Sequence, residues 1–286
     1  MNDNVYLNGE YLPAQQAYIP ILDRGFMFGD GVYEVIPVYK GQVFREHEHL
    51  ARLQASLEAI LVNNPLTDQQ WSEVFRQLMY LNTGSEDASI YLQVTRGVMQ
   101  VRDHAFDASM QPTVLVMCRP VEFPTQDKNT AGYKAITLDD NRWMDCYIKS
   151  VNLLPNVLLK QQAINQGAVE AILIRDGNAI EGSASNLFVV KDDIVQTPAK
   201  GRFMLGGITR NFIIELCNTN KIIVQEKVIT EDELHDADEI WMTSSTKEII
   251  PITTLNQHKV GKGAPGAKWM QLIDLYQGFK QNVTQA

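Results

Sequence analysis

Cysteine is scarce in this chain. The 286 residues hold three, Cys118, Cys146 and Cys217, each isolated from the others. No pair has the spacing of metal ligands, and an odd number of scattered thiols argues against a disulfide framework. No metal site is expected. The pattern fits a reducing, cytoplasmic compartment in which each thiol is a small buried hydrophobe. Long apolar runs are missing too: none approaches the roughly 18–20 residues of a membrane span. The opening stretch MNDNVYLNGEYL has neither a basic region nor an apolar core, so no secretory leader is expected. Positive charge is in short supply, with 25 Lys and Arg against 34 Asp and Glu and a net charge of −9. Such a chain is a poor partner for nucleic acid or an anionic membrane. It can still hold a small anion on a few local cations. Internal repeats and low-complexity segments are absent.

What is present reads as a mixed α/β fold. Hydrophobic residues make up 45% of the chain, enough for one or two packed cores. Asn8-Gly9 in V-Y-L-N-G-E-Y-L signals a tight hairpin. Residues 31–39 read as a strand, turned at Lys40-Gly41 into 42–44. Leu50, Leu53, Leu57, Ile60 and Leu61 recur at helical spacing, predicting a helix over 46–61. Thr67-Asp68-Gln69-Gln70 is a capping box opening a helix with Trp71, Val74, Phe75, Leu78 and Met79 on one face. Strands are expected at 89–95 and 113–118. The polar stretch EFPTQDKNTAG suggests a linker. The division is therefore an N-terminal domain over 1–119, a linker over 120–132 and a C-terminal domain over 133–286. In the latter, strands are expected at 134–139, 146–151, 169–175, 179–190, 194–196, 222–229 and 239–243. Helices are expected at about 155–166, at 208–219 and, briefly, after Thr230. Hairpins are too frequent for a purely parallel sheet.

Four polar features stand out. Lys149 sits within C-Y-I-K-S-V-N, predicted as a strand, where alternation groups it with Tyr147 and Val151. A strand lysine usually faces solvent; turned into a pocket, its amine becomes a nucleophile or base. Glu181 opens E-G-S-A-S-N-L-F, where small residues let a flat ligand approach the backbone. L-G-G-I-T-R (205–210) leads into a helix and offers free N–H groups to an anion. T-S-S-T (243–246) ends a strand with four hydroxyls, and Arg52 on the first long helix is a further phosphate ligand. Each has a plain alternative: a solvated charge, a turn, a helix cap. Together they supply an amine, a carboxylate and a phosphate nest, the set that pyridoxal 5′-phosphate requires.

With these motifs in order, D-R-G-F-M-F-G-D-G-V-Y-E (23–34), I-K-S-V-N-L-L, E-G-S-A-S-N-L-F, G-G-I-T-R and T-S-S-T-K-E-I (243–249), the sequence resembles the class IV, fold-type IV pyridoxal-phosphate aminotransferases almost end to end. That resemblance implies a smaller N-terminal and a larger C-terminal α/β domain with the cofactor in the cleft between them, in a homodimer. It implies that Lys149 is the Schiff-base lysine and Glu181 the carboxylate on the pyridine nitrogen. Arg52, Ile208, Thr209, Ser244 and Ser245 match the phosphate site, and Leu205 the residue on the ring face. The stretch Y-L-Q-V-T-R-G-V-M-Q-V-R-D-H-A-F (91–106) is similar to the D-amino-acid branch. There Tyr33, Arg102 and His104 match the trap for the substrate α-carboxylate, the last two coming from the other subunit. A planar guanidinium suits that forked, charge-assisted contact. The implied reaction is transamination between a D-amino acid and a 2-oxo acid in two half-reactions. Alternatives of the same fold are branched-chain L-amino-acid or (R)-amine transaminases and aminodeoxychorismate lyase; one of another class is a non-catalytic cofactor-binding protein. Two departures stand out. The interval from Thr95-Arg96-Gly97 to Arg102 is one residue longer than in the best-known form, as if Val101 were inserted. Ala184 stands where that form has serine, which removes one hydroxyl near the cofactor.

Overall fold

A computed structural model describes residues 3–83, 86–124 and 131–283. The chain divides into two units: one of residues up to 122 plus Ile148–Leu153, the other of Phe123–Tyr147 and Leu154 onward. Most of the expected linker, 125–130, lies outside the described residues.

The first unit is an antiparallel sheet in the order β2-β1-β6-β5-β3-β4. Its strands are β1 (Asn4–Leu7), β2 (Glu10–Pro13), β3 (Gly31–Tyr39), β4 (Gln42–Val43), β5 (Ala88–Thr95) and β6 (Thr113–Pro120). Asn8 and Gly9 both take positive φ, 50° and 102°, as the hairpin signal requires. Along β5, Ile90, Leu92 and Val94 alternate inward. They pack in one core with Leu53 and Leu57 of α2 (Glu46–Ala59) and with Trp71, Phe75 and Leu78 of α3 (Asp68–Asn82). The capping box forms as expected, with Gln70 N donating to Thr67 Oγ1 and Thr67 N to Gln70 Oε1. A short helix not anticipated from the sequence, α1 (Arg24–Phe28), starts on an Asp23 cap and stops at Gly29 with φ of 68°.

The expected strand at 146–151 does not form. Ser150 N turns back to Ile148 O at 2.8 Å and Leu153 N to Val151 O at 2.9 Å, so local turns take donors that a ladder would use. The segment instead touches the start of β3: Tyr33 N donates to Lys149 O and Val151 N to Gly31 O, both at 3.0 Å. These bonds explain why Lys149 packs with the first unit and not with the C-terminal portion to which it was assigned. Burial still alternates along the segment: Cys146, Ile148 and Ser150 are buried, Tyr147 is exposed, and Lys149 and Val151 are half-buried, so Lys149 groups with Tyr147 and Val151 as expected.

The second unit holds a ten-stranded mixed sheet. Its strands are β7 (Tyr133–Asp139), β8 (Glu170–Arg175), β9 (Asn178–Gly182), β10 (Asn186–Lys191), β11 (Ile194–Thr197), β12 (Val224–Glu226), β13 (Ile229–Thr230), β14 (Glu239–Ser244), β15 (Glu248–Leu255) and β16 (His258–Lys259). The order is β12-β11-β10-β14-β15-β7-β8-β9-β13, with β16 on β15. The pairs β15–β7, β7–β8 and β11–β12 are parallel and the rest antiparallel. Helix α4 (Leu154–Asn165) ends before Gly167, which has φ of 71°, and α5 (Ile208–Thr219) spans the predicted residues. Helices α6 (Glu231–His235) and α7 (Ala267–Val283) follow. The single strand expected over 179–190 is two, because the turn at 183–185 closes with Gly182 N on Ser185 O. The strand expected over 222–229 is likewise two short pieces, β12 and β13. All three thiols are buried, which pushes Cys146 to about 11 and Cys217 to about 12.

Phe75→Ala empties a fully buried position of the first core. It is expected to cost about 3–5 kcal/mol, read as a lower urea midpoint; a loss under about 1 kcal/mol would mean that this face of α3 is not the packing face.

Candidate active site

In the first unit the site grows from β3 and α2. Neighbours on a strand face opposite ways, so Tyr33 and Glu34 point to opposite sides of the sheet. Glu34 is fully buried in an otherwise apolar strand. Helix α2 brings His49, Arg52 and Ser56 along one face, three and four residues apart. Arg52 forks onto Glu34, with Nε to Oε1 and Nη2 to Oε2 both at 2.7 Å, and His49 Nδ1 lies 2.8 Å from Oε2. Burial alone would raise the Glu34 carboxyl; the Arg52 charge and fork, with His49, outweigh it and hold the group well below the usual carboxylate range. Burial lowers His49 despite its carboxylate partner. A neutral imidazole then donates its Nδ1–H to the Glu34 carboxylate and leaves Nε2 as an acceptor. Nε2 is buried without a hydrogen-bond partner.

Lys149 is gripped by its backbone. Its N–H donates to Ser56 Oγ at 3.3 Å, and its carbonyl accepts from Tyr33 N. The amine lies 4.0 Å from the centroid of the Tyr33 ring. Lys149, Tyr33 and Arg52 are thus joined through Ser56, Glu34 and the backbone of β3. Arg102 and His104 lie on an exposed loop and both meet Phe28: the Arg102 Cζ is 5.0 Å from its ring centroid, and the His104 ring is 5.2 Å away.

In the second unit Glu181 is the next-to-last residue of β9, buried. Arg142 Nη1 donates to its Oε1 at 2.5 Å and Asn186 Nδ2 to its Oε2 at 3.1 Å. Leu205 N reaches both oxygens, at 3.3 and 3.2 Å. Burial pushes Glu181 up to about 7, against the opposing charge of Arg142. Arg142 is shared, because it also forks onto Asp140, with Nε at 2.8 Å and Nη2 at 2.9 Å. Asp140 accepts Arg175 as well.

Leu205 leads into α5. The N-cap is Gly207, and no side chain caps the helix. The first-turn N–H groups of Ile208 and Thr209 are therefore not taken by a cap. Gly207 has to be glycine, since a Cβ there would lie 1.9 Å from Asn186 Oδ1. Asn186 pairs in register with Thr243, which puts the strand end bearing Ser244, and the turn bearing Ser245, beside the Glu181 cradle. Ser244 Oγ accepts from Lys247 N at 3.3 Å.

Glu34, His49, Arg142, Asp140 and Asn186 were not foreseen as site residues. Glu34 had a signal, a lone acid in V-Y-E-V-I-P-V-Y, and Asn186 stood inside a quoted motif. Nothing in D-D-N-R-W marks Arg142. Among the described residues no group of His, Cys, Asp and Glu could hold a metal ion, and no helix is long and apolar enough to cross a membrane.

These groups fit pyridoxal 5′-phosphate. The aldehyde needs an amine, the pyridine nitrogen a carboxylate, and the phosphate an uncapped helix start. Comparison with known proteins supports the cofactor through the family. A family model described as amino-transferase class IV matches residues 31–255. The D-alanine aminotransferase of Bacillus licheniformis is 41% identical over 262 residues, covering 92% of either chain. That of Listeria monocytogenes serotype 1/2a is 38% identical over 286 residues, covering 99% of this chain and 96% of its own. The branched-chain amino acid aminotransferase of Escherichia coli superposes with a TM-score of 0.89 at 26% identity, covering 97% of this chain and 94% of its own. A second branched-chain amino acid aminotransferase, complexed with N-(5′-phosphopyridoxyl)-L-glutamate, gives 0.88 at 24% identity, covering 99% and 95%. The chain belongs to the class IV aminotransferases, pyridoxal-phosphate enzymes of mixed α/β, type IV fold.

Proposed function

We propose that the protein transfers the amino group of D-amino acids such as D-alanine or D-glutamate to a 2-oxo acid such as 2-oxoglutarate or pyruvate. The carrying observation is the near-full-length match, at 41 and 38% identity, to proteins named D-alanine aminotransferases. The branched-chain structures share the fold at lower identity. The intact set of amine, buried carboxylate and uncapped helix start speaks against a protein that binds the cofactor without turnover.

In this reading Lys149 holds the cofactor covalently, and Glu181 faces its ring nitrogen. Ile208 and Thr209 N–H groups, Ser244, Ser245 and Arg52 bind the phosphate, and Leu205 packs on the ring face. When bound, the cofactor supplies an electron sink for the carbon that loses a proton. Lys149 Nζ, freed by the incoming amine, takes the Cα proton and returns it to the carbon on the far side of the transferred nitrogen, two bonds away. Its backbone clamp to Ser56 and Tyr33 keeps the amine on one side of the reacting plane, so placement of the substrate carboxylate decides which hand reacts. Tyr33, Arg102 and His104 bind that carboxylate. Arg102 and His104 serve the neighbouring protomer of a homodimer, a role supported by their exposure and by exposed Tyr18, Ile21 and Phe26 in the same unit. The buried free thiols support a cytoplasmic setting.

Lys149→Ala is expected to lose the visible absorbance of the bound cofactor and all transamination; retained turnover would remove the lysine from the chemistry. Given D- or L-alanine separately with 2-oxoglutarate, the enzyme is expected to make pyruvate from the D-form. Pyruvate from L-alanine, or turnover of L-leucine alone, would favour a branched-chain L-transaminase. Arg102→Ala is expected to raise KM for D-alanine by about 10–100-fold, the value of a lost charge-assisted hydrogen bond; an unchanged KM would place the carboxylate elsewhere.

A further inference from the structure

The loop bearing Arg102 and His104 has no regular structure, and residues 101–109 are exposed. Its internal bonds are short turns, such as Ala105 N on Asp103 Oδ1. Yet one buried side chain reads its backbone. Arg24 Nη1 donates to Asp103 O at 2.7 Å and to Ala105 O at 3.3 Å, and Nη2 donates to His104 O at 2.9 Å. Arg24 Nε donates to Asp30 Oδ2 at 2.8 Å. Asp30 is held in turn by Arg96, with Nε at 2.8 Å and Nη2 at 2.9 Å. Burial would raise Asp30; the two arginines keep it below its usual range. Arg96 closes the frame, donating to Ile60 O and Leu61 O and stacking 3.6 Å from the Phe106 centroid.

Resting on the carboxylate reading given above, we propose that Arg24 is a positioning residue for the substrate. It turns three successive carbonyls inward and so sets the direction in which Arg102 and His104 point outward. Only a guanidinium can do this, because it offers five N–H donors in a fixed plane. The clamp also answers the extra residue at Val101. Val101 is 77% exposed and lies before the clamped carbonyls, so the aim of the loop is set at 103–105 and not by counting from Gly97. The arginine of D-R-G thereby gains a task that neither the cofactor nor the reacting atoms give it.

The test is a double-mutant cycle on the holoenzyme with D-alanine and 2-oxoglutarate. Arg24→Gln is expected to raise KM for both substrates about 10-fold or more while leaving kcat within about 3-fold. In an Arg102→Ala background the same change is expected to raise KM at least about 3-fold less than it does in the wild type, because only His104 is then left for Arg24 to aim. Cofactor absorbance and urea midpoint monitor folding. If Arg24→Gln does not fold, Arg24→Lys, which keeps the charge on Asp30 but not the fan of donors, is expected to give a smaller KM rise with the same coupling. Independent, multiplicative effects of the two substitutions would overturn the positioning role. So would a KM that rises in Arg102→Ala but not in Arg24→Gln. If Arg102→Ala itself leaves KM unchanged, the carboxylate reading fails and the role of Arg24 toward it fails as a consequence.

Discussion

A carboxylate cannot be taken out of water alone. An isolated buried charge costs several kcal/mol or more, and the group protonates unless it is paired. In this protein the constraint recurs wherever a functional element has to be held. Glu34 is paired with Arg52, Asp30 with Arg24 and Arg96, Asp140 with Arg142 and Arg175, and Glu181 with Arg142. Arginine serves in each case because its fork can satisfy a carboxylate and still reach a second acceptor. Backbone carbonyls take those spare donors: His104 O from Arg24, Ile60 O from Arg96 and Phe203 O from Arg142. Pairing an acid and pinning a loop are therefore the same event.

Glu34 and Glu181 show that the pairing is graded. Both are buried in the same way, yet one is held far below the ordinary range and the other is pushed up to about 7. The difference lies in the partner. Arg52 gives Glu34 a full two-toothed fork, and His49 adds a third bond. Arg142 gives Glu181 a single tooth, because its fork is spent on Asp140. Glu34 is thereby a structural anion that ties α2 to β3 and holds Ser56 and Lys149 in place. Glu181 remains short of positive charge. A protonated ring nitrogen beside it would supply what Arg142 withholds, and the acid would in turn keep that nitrogen protonated. The incomplete pair is the one suited to a ligand.

Much of this could be read from the sequence where the signal was local. Asn8-Gly9, the Thr67–Gln70 box and the start of α5 depend on residues within one turn of each other, and the structure reproduces them. Readings that needed distant partners failed. C-Y-I-K-S-V-N has the composition of a strand, but its backbone pairs with local turns, with Ser56 of α2 and with the first residues of β3, about a hundred positions away in sequence. The run 179–190 looks continuous until the Ser183 and Ser185 hydroxyls are seen on Glu170, which bends the chain between β9 and β10. β15 escaped notice because Pro251 removes a ladder donor from a strand that lies inside the sheet. Arg142 and Arg24 escaped because a lone arginine has no periodicity; only its acceptors reveal its use.

Asn186 shows how the second unit turns these local fixtures into a template. A rigid cofactor has a set distance between ring nitrogen and phosphate, so the groups proposed to bind them would need a set distance too. Asn186 Nδ2 donates at once to Glu181 Oε2 and to Leu205 O, while Leu205 N donates back to Glu181. Asn186 Oδ1 meanwhile occupies the space beside Gly207 that any larger residue would need. One amide thus ties the carboxylate to Leu205, three residues before α5, and presses against the cap of that helix. Neither end can shift without breaking a bond at the other. Gly207 is needed less for flexibility than because a Cβ there would meet Asn186, while Gly182 is hemmed in by Ser185 and Met242 and Gly206 has room. The two segments, 19 positions apart from Asn186 to Leu205, are joined by that amide together with the Leu205 N–H on Glu181.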